Sequence, residues 1–328
     1  MAEYKGIKGF KVQYLSADPS NPIVGQIWYN DTSKDLKFTE FTAAAWATGG
    51  NLPVAKRAMY AAGTQTAALS AGGTPPSPPS AVTTSEEYNG SSWSGGGSMG
   101  TGRHSGRGAG TLTAAVIFGG SNAFTYIGDT EEYNGTSFSP SGSMSTGRVN
   151  MGNAGTQTAA LAWAGNGNTA ATNVTEEYNG STWSGGGTFP SSSGAVMAGA
   201  GTLTAGLAFG YAAPGPVISG STQSYDGSAW TILPANLNNA RYAGTGFGTQ
   251  TAAVAVAGTD DTTTFSATEE YDGISWTSST NLGTARTSLG GVGTRSDGLV
   301  YGGYIAPNTT STEEWTGPGP ATKTVTVS

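Results

Sequence analysis

Five pairs of adjacent carboxylates, Glu86/Glu87, Glu131/Glu132, Glu176/Glu177, Glu269/Glu270 and Glu313/Glu314, are the residues best equipped for chemistry. Two carboxyl groups flanking one bond cleave glycosides when one protonates the leaving oxygen and the other acts as base or nucleophile. Sequence neighbours on a strand point to opposite faces, so none of these pairs forms such a dyad by itself. The plainer expectation is one solvated and one structural glutamate in each pair.

Arginine recurs with the pairs. Arg103, Arg148, Arg241 and Arg286 each stand seven residues before a Gly-Thr dipeptide, with Lys56 or Arg57 near that place in an earlier copy. Where the arginine is replaced by Gly194, the acidic pair is replaced by Gln223 and Ser224. The joint loss predicts a contact, because either partner alone would be a costly unpaired charge if buried. Arg103 is therefore expected against Glu131 or Glu132, Arg148 against Glu176 or Glu177, Arg241 against Glu269 or Glu270, and Arg286 against Glu313 or Glu314.

Other chemistry is sparse. The chain has no Cys, which removes thiol nucleophiles and Cys-ligated zinc, and its one histidine is His104 in the surface-like string "GRHSGR". Gly-rich strings such as "SGGGSMG" lack the Lys and following helix of a phosphate loop. Trp93, Phe138, Trp183, Trp230 and Trp276 recur in register; they are read as packing between repeats rather than a sugar-stacking series. No catalytic residue, cofactor or metal is expected.

The elements that carry these residues repeat. The tyrosine after the acidic pair falls at Tyr88, Tyr133, Tyr178, Tyr225 and Tyr271, with Trp315 in a sixth copy, at intervals of 45, 45, 47, 46 and 44 residues. The Gly-Thr landmark at Gly63, Gly110, Gly155, Gly201, Gly248 and Gly293 keeps the same period. In the second copy, strands are expected around 106–110, 114–120, 129–134 and 136–139. Asn-Gly or Asp-Gly after each Tyr predicts a type I′ hairpin turn with positive φ at both central residues.

A period of this length with four strands is that of a β-propeller blade. The glycine pairs in "FGG" (118–120) and "YGG" (301–303), the Tyr, the Trp and the "GSMGTGR" connection resemble the kelch family. The interval from Tyr to Trp is shorter than the family's, and "WAG", "FGY" and "VAG" lack the full glycine pair. The resemblance implies an all-β, kelch-like propeller of four-stranded blades over 1–328, with six repeats in 53–328. Residues 1–52 enter as a divergent first blade, because Phe41 and Trp46 are spaced like Tyr88 and Trp93. In that reading 9–15, 25–30 and 36–41 are its strands, and 322–328 supplies the last strand of the final blade. Seven blades result. The alternative is six blades plus an N-terminal docking segment, with Trp46 completing the final blade.

Copy-to-copy variation concentrates between the second and third strands, where Phe124, Tyr126, Asn166, Asn168, Asp260, Asp261, Tyr304 and Asn308 are candidate binding residues on one face. Net charge is −7, distributed as +2 over 1–57 and −9 over 58–328, which argues against nucleic acid. No apolar run is long enough to span a membrane, and "MAEYKGIKGF" lacks an apolar leader core, so synthesis in a cytosol is expected.

"LSADPSNPIVGQIWYNDTSKDLKF" (15–38) and the "EEYNGSSW" repeats resemble virion and tail-fibre proteins of bacteriophages. That resemblance implies a non-enzymatic virion protein present in many copies, holding other virion proteins through 1–52. It would meet a host-surface glycan or protein, or decorate the particle. The rival reading is a non-phage kelch-like interaction module, extracellular or adaptor; a propeller glycosidase ranks below both.

Overall fold

The computed structural model describes residues 12–77, 80–122, 125–191, 195–215 and 217–325, without the side chains of 195–198. The fold is all β, with no helix among the described residues. It divides into two compact units, Trp46–Thr316 and a smaller one made of Met1–Ala45 with Gly317–Ser328.

In the larger unit each of the first five repeats forms a four-stranded antiparallel sheet and the sixth contributes three antiparallel strands to a four-stranded one, and the sheets take a propeller-like arrangement. The second repeat is typical: Arg107–Thr111, Ala114–Phe118, Thr130–Tyr133 and Phe138–Ser141 pair in chain order, within about two residues of the pattern-based expectation. Its second strand is almost wholly buried because apolar residues occupy both faces, as in a sheet covered on both sides. A short ribbon of Arg148–Val149 with Asn166–Gly167 supplements the third repeat.

First strands of successive repeats lie side by side. A Cβ on Gly108 would stand 2.7 Å from the Ala61 carbonyl oxygen, so glycine is what permits that approach. Gly110 turns the first strand into the second at φ +100°, where a side chain would also overlap the Ala114 carbonyl. First-strand residues of all six repeats line one cavity of about 110 Å³. At one end, left-handed residues hand hydrogen bonds along: Asn150 N donates to Ser105 O, Ser105 N to Ala58 O, Ala58 N to Ser288 O, and Ser288 N to Ala243 O. The core lies between sheets. Each apolar cluster mixes two successive repeats, and one joins Leu299 and Tyr301 of the sixth to Ala68, Tyr88 and Trp93 of the first.

The hairpin turns differ from expectation. Gly90, Gly135, Gly180, Gly227 and Gly273 have positive φ, but the preceding Asn or Asp does not. Instead Asn89 Oδ1 accepts from the N–H groups of Ser91 and Ser92, at 3.0 and 2.9 Å. A four-residue loop closed by the side chain replaces the two-residue type I′ turn.

The terminal strands are exchanged relative to expectation. Ala45–Thr48, which carries Trp46, adds to the sixth repeat's sheet beside Thr312–Thr316, and Gly319–Thr324 pairs with Asp35–Thr42. The smaller unit is thus a sheet of Gln13–Leu15, Ile27–Asn30, Asp35–Thr42 and Gly319–Thr324, with its first two strands parallel. Residues 9–11 and 326–328 of the expected strands lie outside the described residues.

Asp18 organises the smaller unit. Its carboxylate accepts from Trp28 Nε1 at 3.0 Å and Asn30 Nδ2 at 2.7 Å, and pairs with Lys37 Nζ at 2.8 Å. Lys37 first, then Asn30 and Trp28, pull its pKa from 3.8 down to about 2. A depressed carboxylate stabilises fully above its unfolded value and loses that contribution as pH falls through the folded one. The protection of the Trp28 indole N–H against hydrogen exchange should therefore fall between about pH 4 and pH 2, and Asp18→Asn should abolish that pH dependence.

Candidate functional site

The paired carboxylates are divided between two tasks. The first glutamate of each pair meets the cation of its own repeat: Arg103 Nη2 to Glu131 Oε1 at 2.9 Å, Arg148 Nη2 to Glu176 Oε2 at 2.5 Å, and Arg286 Nη2 to Glu313 Oε1 at 2.9 Å. Arg241 pairs with Glu269 in the same way, and Lys56 with Glu86. All four arginines are fully buried. Burial pushes the pKa values of Arg148, Arg241 and Arg286 down, opposed by the facing glutamate. The Lys56 ammonium is pushed down for the same reason.

Each guanidinium also serves backbone carbonyls, as Arg148 Nη1 does for Ala164 O at 3.0 Å and Val174 O at 2.8 Å. The other carboxylate oxygen accepts an N–H from the residue three before the arginine. The donors are Gly100, Ser145, Asn238 and Gly283, at 2.6–2.8 Å. Each ion pair therefore staples the connection between consecutive sheets. In the fourth repeat Gln223 is buried and bonds Ser221 Oγ, while Gly194 lies outside the described residues.

The second glutamate is half-buried in four pairs and buried at Glu270 rather than solvated, contrary to the plainer expectation. It accepts the tyrosine hydroxyl of the next repeat: Tyr178 to Glu132 at 2.6 Å, Tyr225 to Glu177 at 2.5 Å and Tyr88 to Glu314 at 2.5 Å, with Tyr133 on Glu87 likewise. Burial first and the adjacent carboxylate second push Tyr88, Tyr178 and Tyr225 up to about 12. Where Trp315 replaces tyrosine, Glu270 pairs instead with Arg295 Nε at 2.9 Å, and the Trp315 indole donates to Arg295 O.

The aromatic series packs between sheets, and each indole N–H finds a threonine of the preceding repeat. Trp183 donates to Thr130, Trp230 to Thr175 and Trp276 to Thr222, at 2.8–2.9 Å. Trp93 donates to Thr312 at 3.0 Å, and Trp46 to Thr268 at 3.1 Å. Phe138, which has no N–H to satisfy, faces a repeat with Ser85 in place of that threonine. This exchange is the signal in the sequence that could have revealed the contact.

The variable loops are tied to one another. Tyr126 N donates to Asn168 Oδ1 at 3.0 Å, and Asn168 Nδ2 returns a bond to Tyr126 O at 3.2 Å, joining the second and third repeats. Asn308 Nδ2 reaches Thr74 O at 2.8 Å, joining the sixth to the first, and Asn308 also bridges Tyr304. Asp260 closes its own turn through the N–H groups of Thr262 and Thr263, Asp261 accepts from the Tyr242 hydroxyl, and Asn166 pairs with Val149. These candidates thus separate into local groups, and Phe124 lies outside the described residues.

A cavity of about 280 Å³ lies where the chain enters the first strands, lined among others by Ser105, Arg107, Asn150, Tyr242 and Thr287, with Thr259 the one residue from a variable loop. Arg107 lines it and the narrower space beneath; burial lowers its pKa to about 10. Sequence reasoning passed over Arg107, although it is the one charged residue at a first-strand position held in the other repeats by Tyr60, Gly152, Ala198, Thr245 and Gly290. Among the described residues no group of three or more His, Asp or Glu side chains could hold a metal ion. In comparisons with known proteins, no family model and no curated protein matches this chain.

Proposed function

We propose that Trp46–Thr316, closed by the strand Ala45–Thr48, is a six-bladed β-propeller that works by binding rather than catalysis, and that the loops between second and third strands form its binding face. Six blades are favoured over seven because Trp-to-Thr bonds run from the third, fourth, fifth and sixth repeats to the one before and from the first to the sixth, with Trp46 acting as the sixth repeat's tryptophan, while Phe138 of the second repeat packs against the first without such a bond. The observation that carries the functional reading is the commitment of the repeated carboxylates to scaffold contacts, while diversity collects in the loops. A glycosidase needs its two carboxyl groups free at one bond. The pairs here offer nothing of that kind.

Combined with the resemblance of 15–38 and of the repeats to bacteriophage virion proteins, this gives a particle-borne protein meeting a bacterial surface glycan or protein. Many copies on one particle would turn weak contacts into firm attachment through effective concentration. The triple variant Tyr126→Ser, Asn166→Ala, Asp261→Ala should lower adhesion to host cells at least about tenfold with little change in melting temperature. Ile274→Ser, in a hairpin turn at the opposite end of its sheet, is the control and should change nothing. Equal adhesion of both variants would reject this face, and loss of particle assembly would make it an assembly surface instead.

A further inference from the structure

In the first repeat Lys56 occupies the buried seat used elsewhere by arginine, two residues before the left-handed Ala58 as Arg103 is before Ser105. Its neighbour Arg57 is thereby placed on the rim, equivalent to His104, Val149, Tyr242 and Thr287. Its backbone pairs with Thr74, and its guanidinium lies over the Tyr304 ring, 4.7 Å from the centroid. Around this stack is a cavity of about 320 Å³, walled by Pro75, Pro76 and Pro307 and edged by Asn308. The Asn308 bond to Thr74 O fixes the loops of the first and sixth repeats to each other, so the groove is held in shape.

We propose that this groove binds one carboxylate-bearing sugar residue, such as a hexuronic acid; the inference rests on the binding-face reading above and gives that face a ligand class. A guanidinium stacked on an aromatic ring keeps its in-plane N–H donors available at the edge, the geometry that takes a carboxylate bidentately. The proline rings and the tyrosine, 40% exposed, offer flat apolar surface for the C–H face of a pyranose. Asn308 can meet a hydroxyl through its carbonyl oxygen while its amide stays on Thr74.

A peptide is the poorer fit, since the main chain here is already paired: Arg57 with Thr74, Thr287 with Tyr304, and Tyr304 with Asn308. Little backbone remains to register an extended strand. The lining carries no carboxylate to oppose the ligand. The net −9 of residues 58–328 works against any acidic polymer at long range, so many copies are needed for attachment.

The test titrates the full chain with methyl β-D-glucuronide, methyl β-D-glucoside and a short blocked Asp/Glu peptide, followed by ligand-observed NMR. The glucuronide should bind at least about tenfold more tightly than the glucoside, Arg57→Gln should erase that preference, and Arg57→Lys should restore part of it. Thermal melting of Arg57→Gln should match the parent, because the Arg57 side chain serves no strand pairing. Glucuronide binding that survives Arg57→Gln, or equal Arg57-dependent binding of the peptide, overturns the proposal. Host adhesion that persists in a chain with no measurable glucuronide binding removes this site and leaves the binding face standing. Glucuronide binding with adhesion untouched by the triple loop variant does the reverse.

Discussion

Removing residues 1–48 should destabilise the larger unit by on the order of 4–6 kcal/mol, while removing residues 1–43 should leave its unfolding midpoint within about 1 kcal/mol of the parent. The difference lies in five residues. Ala45–Thr48 is the outer strand of the sixth repeat's sheet, and without it Thr312–Thr316 becomes an unpaired edge. Trp46 also packs on Trp315 at a ring separation of 5.0 Å and donates its indole N–H to Thr268 Oγ1 and Thr280 O, so its loss opens a void and orphans polar groups together. Denaturant unfolding of the two truncations measures this directly. Equal stability of the two would mean that the strand does not close the sheet, and the six-bladed reading would fall with it.

Arg148→Met should cost about 3–5 kcal/mol, because it strands the buried Glu176 carboxylate and removes the donor from Ala164 O and Val174 O. Glu176→Gln should be costly for the mirrored reason. The double variant should fall short of the summed single effects by at least about 2 kcal/mol, since neither charge is then left alone in the interior. Gln223 in the fourth repeat shows an uncharged residue in the seat of the first glutamate. A double-mutant cycle by urea unfolding gives the coupling; strict additivity would show that the two side chains stabilise the sheet independently, whatever their separation.

Much of the scaffold could be read from particular residues. The period shared by the Tyr and Gly-Thr landmarks located six sheets and, in the second repeat, placed four strands to within about two residues. The Arg–Glu contact was legible because one repeat lacks both members, so the chain supplies its own natural double variant. Which glutamate takes the arginine was not legible. The two are adjacent, and only the strand's position between its own repeat and the next decides that Glu176 faces Arg148 while Glu177 faces Tyr225.

The sequence by itself determined the repeat, its β character, the recurrence of the ion pair and the loops where diversity collects, because all of these are written in local pattern and in comparison among copies. Tertiary structure alone decided where Ala45–Thr48 and Gly319–Thr324 go. Both are short segments able to add to an open edge, and nothing local distinguishes pairing with Thr312–Thr316 from pairing with Asp35–Thr42. It also decided that Lys56 rather than Arg57 enters the core, which turns Arg57 onto Tyr304. The physical reason is common to both. An edge strand's partner and a long cation's direction are set by which unsatisfied backbone and which buried carboxylate lie within reach, and those belong to residues hundreds of positions away or on a neighbouring sheet.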